Sequence, residues 1–174
     1  MKEKLRQQLL AELSRRNIDL VTQYACQNPE AINYLVDLVI YNEETVSMRA
    51  AWALEKLSEK KNEVIKNRLP DILEILSKIT VSGTRRTIAK VLMQYTIPEE
   101  FEGKLFDFCI EMIEAVKEPV AVKANCMTIV FNLLPKYPEL KNEIFAIIED
   151  QIPYNSIGFK SRFFVLKRKM NKLK

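Results

Sequence analysis

Four cations recur down the sequence at nearly equal intervals. Arg49, Arg85, Lys123 and Arg162 are separated by 36, 38 and 39 residues, and Arg86 doubles the second of them. A column of such groups recognises charge: it attracts the phosphates of a nucleic acid or the carboxylates of an acidic peptide. Trp52, the only tryptophan, follows Arg49 by three residues. It would either stack on a base or a peptide side chain or serve as half-buried packing. Groups suited to covalent chemistry are sparse. The chain has no His, which removes the commonest general base, the Ser–His and Cys–His nucleophile pairs, and the commonest transition-metal ligand. Three glycines, Gly83, Gly103 and Gly158, cannot assemble a phosphate-cradling loop, so P-loop and dinucleotide-binding folds are excluded. The carboxylate pairs Glu99–Glu100, Glu111–Glu114 and Glu149–Asp150 fall where ordinary exposed helical faces are expected. No catalytic residue, metal site or cofactor is implied.

The remaining composition bounds the class. A chain of 174 residues with 48% apolar and 29% charged residues is globular and long enough for one domain with its own core. Its net charge of +4 is unevenly spread. From Ser156 to Lys174 there are seven cations (Lys160, Arg162, Lys167, Arg168, Lys169, Lys172 and Lys174) and no acid, so residues 1–155 carry a net −3. Cys26, Cys109 and Cys126 are odd in number, form no CxxC, and each sits in an apolar helical pattern, so buried free thiols in a reducing compartment are expected. Met1–Arg6 lacks the apolar run of a secretory signal, and no stretch approaches the ~20 apolar residues of a membrane span. A cytoplasmic location is the expectation.

Apolar residues recur at three- and four-residue spacing almost throughout, which predicts about ten helices. They are expected at Lys2–Arg16, Ile18–Gln27, Pro29–Tyr41, Thr45 or Val46–Lys60, Asn62–Ile79 (kinked or restarted at Pro70), Ser82–Tyr95, Pro98–Val116, Pro119–Leu134 and Pro138–Gln151. A last helix runs from the turn at Pro153–Ser156 to the chain end. Short connections force consecutive helices into antiparallel hairpins.

The cation column sits near the start of the second helix of each later hairpin. Four residues after each cation stand Ala53, Ala89, Met127 and Leu166. A fixed period of this size, one helical hairpin per repeat, is the signature of an α-solenoid, because a lone hairpin cannot bury its apolar face and stacked ones can. The segments Val46–Leu54, Ser82–Ala89 and Pro119–Ala124 resemble the start of the inner helix in the HEAT and armadillo-like repeat families. The turn at Tyr137–Lys141 and the basic last helix are also similar to a group of small bacterial HEAT-like proteins. The resemblance covers roughly residues 30–174. It implies an all-α, right-handed superhelix of about five hairpins, with approximate repeats 2–28, 29–60, 62–96, 98–135 and 137–174 in a single domain. To HEAT-like DNA glycosylases the likeness extends to the repeat alone, and no catalytic position carries over.

In such a fold the inner helices line a concave face. The column Arg49, Arg85, Arg86, Lys123 and Arg162 is then either an open binding stripe or a structural ladder. In the ladder the cations pair with acids such as Glu43, Glu44, Glu118 and Asp150 or with backbone carbonyls of neighbouring repeats. Arg85 and Arg86 have no acid just upstream and are the cations expected to be free. The last helix aligns Phe159, Phe163, Leu166, Met170 and Leu173 on one face, with Lys160, Lys167, Arg168 and Lys169 off it. It either caps the repeat stack or binds an anionic surface. The expected function is a non-catalytic binding or scaffold module for a protein or acidic peptide. The alternative is nucleic-acid backbone binding by the basic stripe and the last helix.

Overall fold

The computed structural model describes residues 2–60 and 62–172. Eleven α-helices follow one another, and no strand occurs among the described residues. They are α1 (Lys2–Ala11), α2 (Arg15–Gln27), α3 (Pro29–Tyr41), α4 (Glu44–Ser58), α5 (Glu63–Asn67), α6 (Leu69–Glu74), α7 (Ser82–Leu92), α8 (Glu99–Glu114), α9 (Val120–Leu133), α10 (Lys141–Gln151) and α11 (Ile157–Asn171). The chain divides into two compact units, Met1–Phe101 and Glu102–Lys174.

The first unit is organised around α4, which packs against α1, α2, α3 and α7. Its composition permits this. Val46, Ser47, Ala50, Ala51, Ala53, Leu54, Leu57 and Ser58 are all buried, and the small residues among them let neighbouring helices approach on several sides. At Gly83 of α7 a Cβ would lie 3.0 Å from the Met48 sulfur, so this close approach needs a glycine or a shift of the Met48 side chain. The second helices α2, α4 and α7 therefore lie side by side, with the hydroxyls of Ser47 and Thr84 3.1 Å apart between the last two. Burying Leu54 fully contributes about 1.5–3 kcal/mol, and truncating it would cost more through the cavity left behind.

Helix ends follow their local chemistry. The expected first helix, Lys2–Arg16, stops at Ala11. Ser14 caps α2 by accepting the Asn17 N–H at 3.1 Å, and the buried Asn17 amide donates to the carbonyls of Gln8 and Glu12, closing the turn. Asn42 ends α3 in the left-handed region at φ 58°, where Asn is tolerated, and its amide donates to the Lys78 carbonyl. The expected helix Asn62–Ile79 is broken into α5, α6 and a 3₁₀ turn at Leu76–Lys78, with Pro70 restarting the second piece. Tyr95, after α7, donates to the Asn62 carbonyl at 3.1 Å and closes the third hairpin. Burial pushes its hydroxyl up to about 12.

In the second unit α9 packs on α11, again second helix on second helix. Phe131, Phe145 and Phe163 form an aromatic cluster at its centre, with ring centroids 5.5–6.1 Å apart. Glu102, buried near the start of α8, accepts from the Lys136 ammonium and from the Tyr137 hydroxyl at 2.8 Å, beyond the far end of α9. Pro138 opens a 3₁₀ turn, and α10 starts only at Lys141. Two thiols, Cys109 and Cys126, are buried as expected; Cys26 is exposed, a correction. On α2 the buried stripe runs through Asn17, Ile18, Val21 and Ala25, and Cys26 is rotated off it.

Candidate functional site

The cation column is built into the fold more deeply than an open stripe requires. Arg49 on α4 donates through Nη1 to the Leu9 carbonyl at 2.6 Å, in the last turn of α1. Carbonyls there have no acceptor-side helical partner, and a guanidinium also complements the negative end of the helix. Its Nε is buried without a hydrogen-bond partner among the described residues. Glu43, a candidate partner for Arg49, instead takes a two-pronged contact from Arg6 at 2.8 Å. Arg85 on α7 donates from Nε to the Ile79 carbonyl at 2.7 Å. Arg85 and Arg86 were the cations expected to be free; both are engaged, Arg86 while exposed at the surface. The Ile79 carbonyl that takes Arg85 was invisible in the sequence because a backbone carbonyl leaves no residue-type signal. Trp52 is half-buried on α4.

Lys123 departs furthest from an open face. It is 2% exposed, one turn into α9, and burial pulls its ammonium below the usual lysine range, with the Glu118 charge opposing. It lines a cavity of about 260 Å³ together with Glu114, Val116, Gln151, Tyr154 and Asn155. It stands four residues before the buried Met127, which occupies the register of Ala53 and Ala89.

Helix α11 keeps its expected apolar face: Phe159, Phe163 and Leu166 are buried and Met170 is half-buried, while Leu173 and Lys174 lie outside the described residues. Lys167 is not a free cation. It pairs with Glu149 at 2.6 Å and stands 5.0 and 5.3 Å from the ring centroids of Phe145 and Phe163. By contrast Lys160, Arg162, Arg168, Lys169 and Lys172 are exposed. Phe164 and Val165 are each 40% exposed among them. Phe164 lies four residues from both Lys160 and Arg168, and Val165 three from Arg162 and four from Lys169, so each apolar side chain is flanked by cations along the helix surface. The spacing already sets the bulky Phe164 off the apolar stripe with the cations, whereas Val165 went unmarked.

Glu99, Glu100, Glu111, Glu114, Glu149 and Asp150 are all exposed. Among the described residues no group of three or more His, Cys, Asp or Glu could hold a metal ion. The Cys109 and Cys126 thiols are both buried, and burial pushes the Cys109 thiol well up, which makes it a poor nucleophile. No described helix is long and apolar enough to cross a membrane.

A family model for the HEAT repeat domain matches residues 5–161, most of both units. No curated protein and no solved structure matches the chain.

Proposed function

The chain belongs to the HEAT repeat domain family, and we propose that it is a non-catalytic binding module whose partner is an acidic protein segment docked on the outer face of α11. HEAT repeat domains commonly mediate protein–protein interaction. The observation that carries the reading is the exposed face of α11: four cations and a fifth at its C-cap Lys172, no acid, and Phe164 and Val165 each 40% exposed between them. Cations attract the acidic segment and set its encounter rate. The two apolar side chains give it something to bury, which a bare phosphate chain would not use. Arg49 and Arg85 donate to backbone carbonyls, which supports α11 over a stripe shared by all repeats. Three free thiols fit a reducing compartment such as the cytoplasm.

The second reading, nucleic-acid backbone binding, is favoured by the same run of cations without acids. One experiment separates the two. A fluorescein-labelled 15-residue peptide of alternating Glu and Leu blocks and a 20-base-pair duplex are titrated with the protein at several salt concentrations. The proposal expects binding of the peptide, and at least a tenfold loss in the double variant Arg168→Glu/Lys169→Glu with unchanged helicity. Preferential binding of the duplex, with log K falling by about 0.9 per phosphate contact against log salt, would replace it with the nucleic-acid reading. Peptide binding that the double variant leaves intact would refute the α11 site.

A further inference from the structure

The cavity around Lys123 lies between two hairpin turns of the second unit. Glu114 and Val116 come from the end of α8 and the turn after it; Gln151, Tyr154 and Asn155 come from the end of α10 and the turn that leads into α11. We propose that this cavity takes the side-chain carboxylate of an acidic residue in a partner's peptide segment, with Lys123 as its counter-ion. The inference deepens the reading of the protein as a binder of acidic segments and rests on it.

Four observations converge. First, Lys123 is almost wholly buried, and among the described residues its ammonium makes no hydrogen bond or ion pair; Glu118 acts on it only through its charge. The Lys123 Nζ is not among the enclosed side-chain atoms that lack a partner, so the tip of this otherwise buried side chain opens onto the cavity, where an oxygen acceptor would meet its donors. Second, Lys123 sits one turn into α9, whose N-cap is Pro119 and supplies no side-chain acceptor. The positive end of that helix therefore adds to the lysine's pull on an anion. Third, Glu114 lines the same cavity. Its negative charge opposes a dianionic phosphate about twice as strongly as a single carboxylate, which the lysine and the Gln151 amide would hold, while the Asn155 amide already donates to the Gln151 carbonyl. Fourth, a volume of about 260 Å³ falls below the ~300–1,000 Å³ of pockets for drug-sized ligands, so it admits one side chain and not a folded element. Val116, 95% exposed, and Tyr154, 83% exposed, stand at its mouth as apolar cover for the flanking backbone.

The test is an NMR titration of the full chain with two blocked pentapeptides, acetyl-Leu-Ala-Glu-Ala-Leu-amide and its Gln counterpart, following the backbone amides of Val116, Val120 and Asn155. The Glu peptide should shift them saturably in the millimolar range, and the Gln peptide should bind at least tenfold more weakly. Lys123→Met should abolish the preference. So should Val116→Glu, an exposed substitution that leaves the core untouched and places a like charge at the mouth. Equal binding of the two peptides, retention of the preference in both variants, displacement of the Glu peptide by an equal concentration of inorganic phosphate, or no saturable shift would each overturn the proposal. The 15-residue peptide tells this site from the α11 face. If Arg168→Glu/Lys169→Glu loses that peptide while Lys123→Met binds it as the wild type does, the cavity proposal falls and the module reading stands. A single-Glu preference that survives Arg168→Glu/Lys169→Glu supports the cavity even where the α11 face fails.

Discussion

Ser47 and Thr84 stand 37 residues apart in sequence, and their hydroxyls meet at 3.1 Å between α4 and α7, both buried. That separation is one repeat period. Other contacts span similar distances: Arg6 to Glu43, Arg49 to Leu9, Lys90 to Glu55, and Glu102 to Lys136. Ser47–Thr84 and Lys90–Glu55 thus join the second helices of successive hairpins, Arg6–Glu43 and Arg49–Leu9 join the first hairpin to the second, and Glu102–Lys136 ties α8 to the turn after α9.

The hydroxyl pair should behave as a coupled unit. Thr84→Val keeps the shape, removes the partner, and should cost about 1–2 kcal/mol. In that variant Ser47 retains a long contact to the Glu44 carbonyl at 3.4 Å, whereas Ser47→Ala takes the partner from the buried Thr84 hydroxyl and should cost more. In the double variant neither hydroxyl is left unsatisfied, and its loss should fall below the sum of the singles. Urea unfolding of the four proteins measures this; strict additivity would show that the contact contributes nothing.

Arg49 is expected to act on stability and not on binding. Arg49→Met keeps most of the buried stem and removes the bond to the Leu9 carbonyl. It should destabilise by about 1–3 kcal/mol and speed hydrogen exchange in α1. Affinity for the acidic 15-residue peptide should stay within twofold. A variant of wild-type stability with lost affinity would return Arg49 to the list of contact residues.

Glu102 should give the fold an acid-sensitive step. The hydrogen bond from Lys136 holds its carboxyl below the ordinary range, with burial opposing and Tyr137 assisting. A depressed carboxyl contributes stability that is present above its unfolded-state value and is lost as pH falls through the folded-state value. Glu102→Gln should therefore be less stable than wild type at pH 7, by about 1–2 kcal/mol because half-exposed Lys136 can return to water. The difference should shrink as pH falls below the usual carboxylate range. A difference that stays constant from pH 7 to pH 3 would rule out the ion pair as its cause.

Lys123 has the opposite sign. Burial depresses its folded-state value, so the protonated form costs stability at every pH below that value, and the cost is relieved as pH rises through it. Lys123→Met, close in length and without charge, should raise the thermal midpoint at pH 7, and the gain should diminish at alkaline pH. A lower midpoint at pH 7 would mean that the ammonium is better satisfied within the fold than its surroundings indicate.

Much of the architecture was determined by the order of residue types. Apolar spacing at three and four residues can only be buried by helices, and the 36- to 39-residue recurrence of Arg49, Arg85, Lys123 and Arg162 can only arise from stacked hairpins of like size. Ala53, Ala89, Met127 and Leu166 were core positions for the same reason, and all four are buried. The fate of each cation was a different matter. Arg49 and Arg85 are taken up by carbonyls, which every residue carries and no sequence pattern marks. Lys123 turns into a cavity whose walls come from two separate turns, while Arg162, Arg168 and Lys169 stay in water around Phe164 and Val165. Periodicity says which residues share a helix face. Whether that face meets a carbonyl, a cavity or solvent depends on which neighbouring element packs there, and only the tertiary structure decides it.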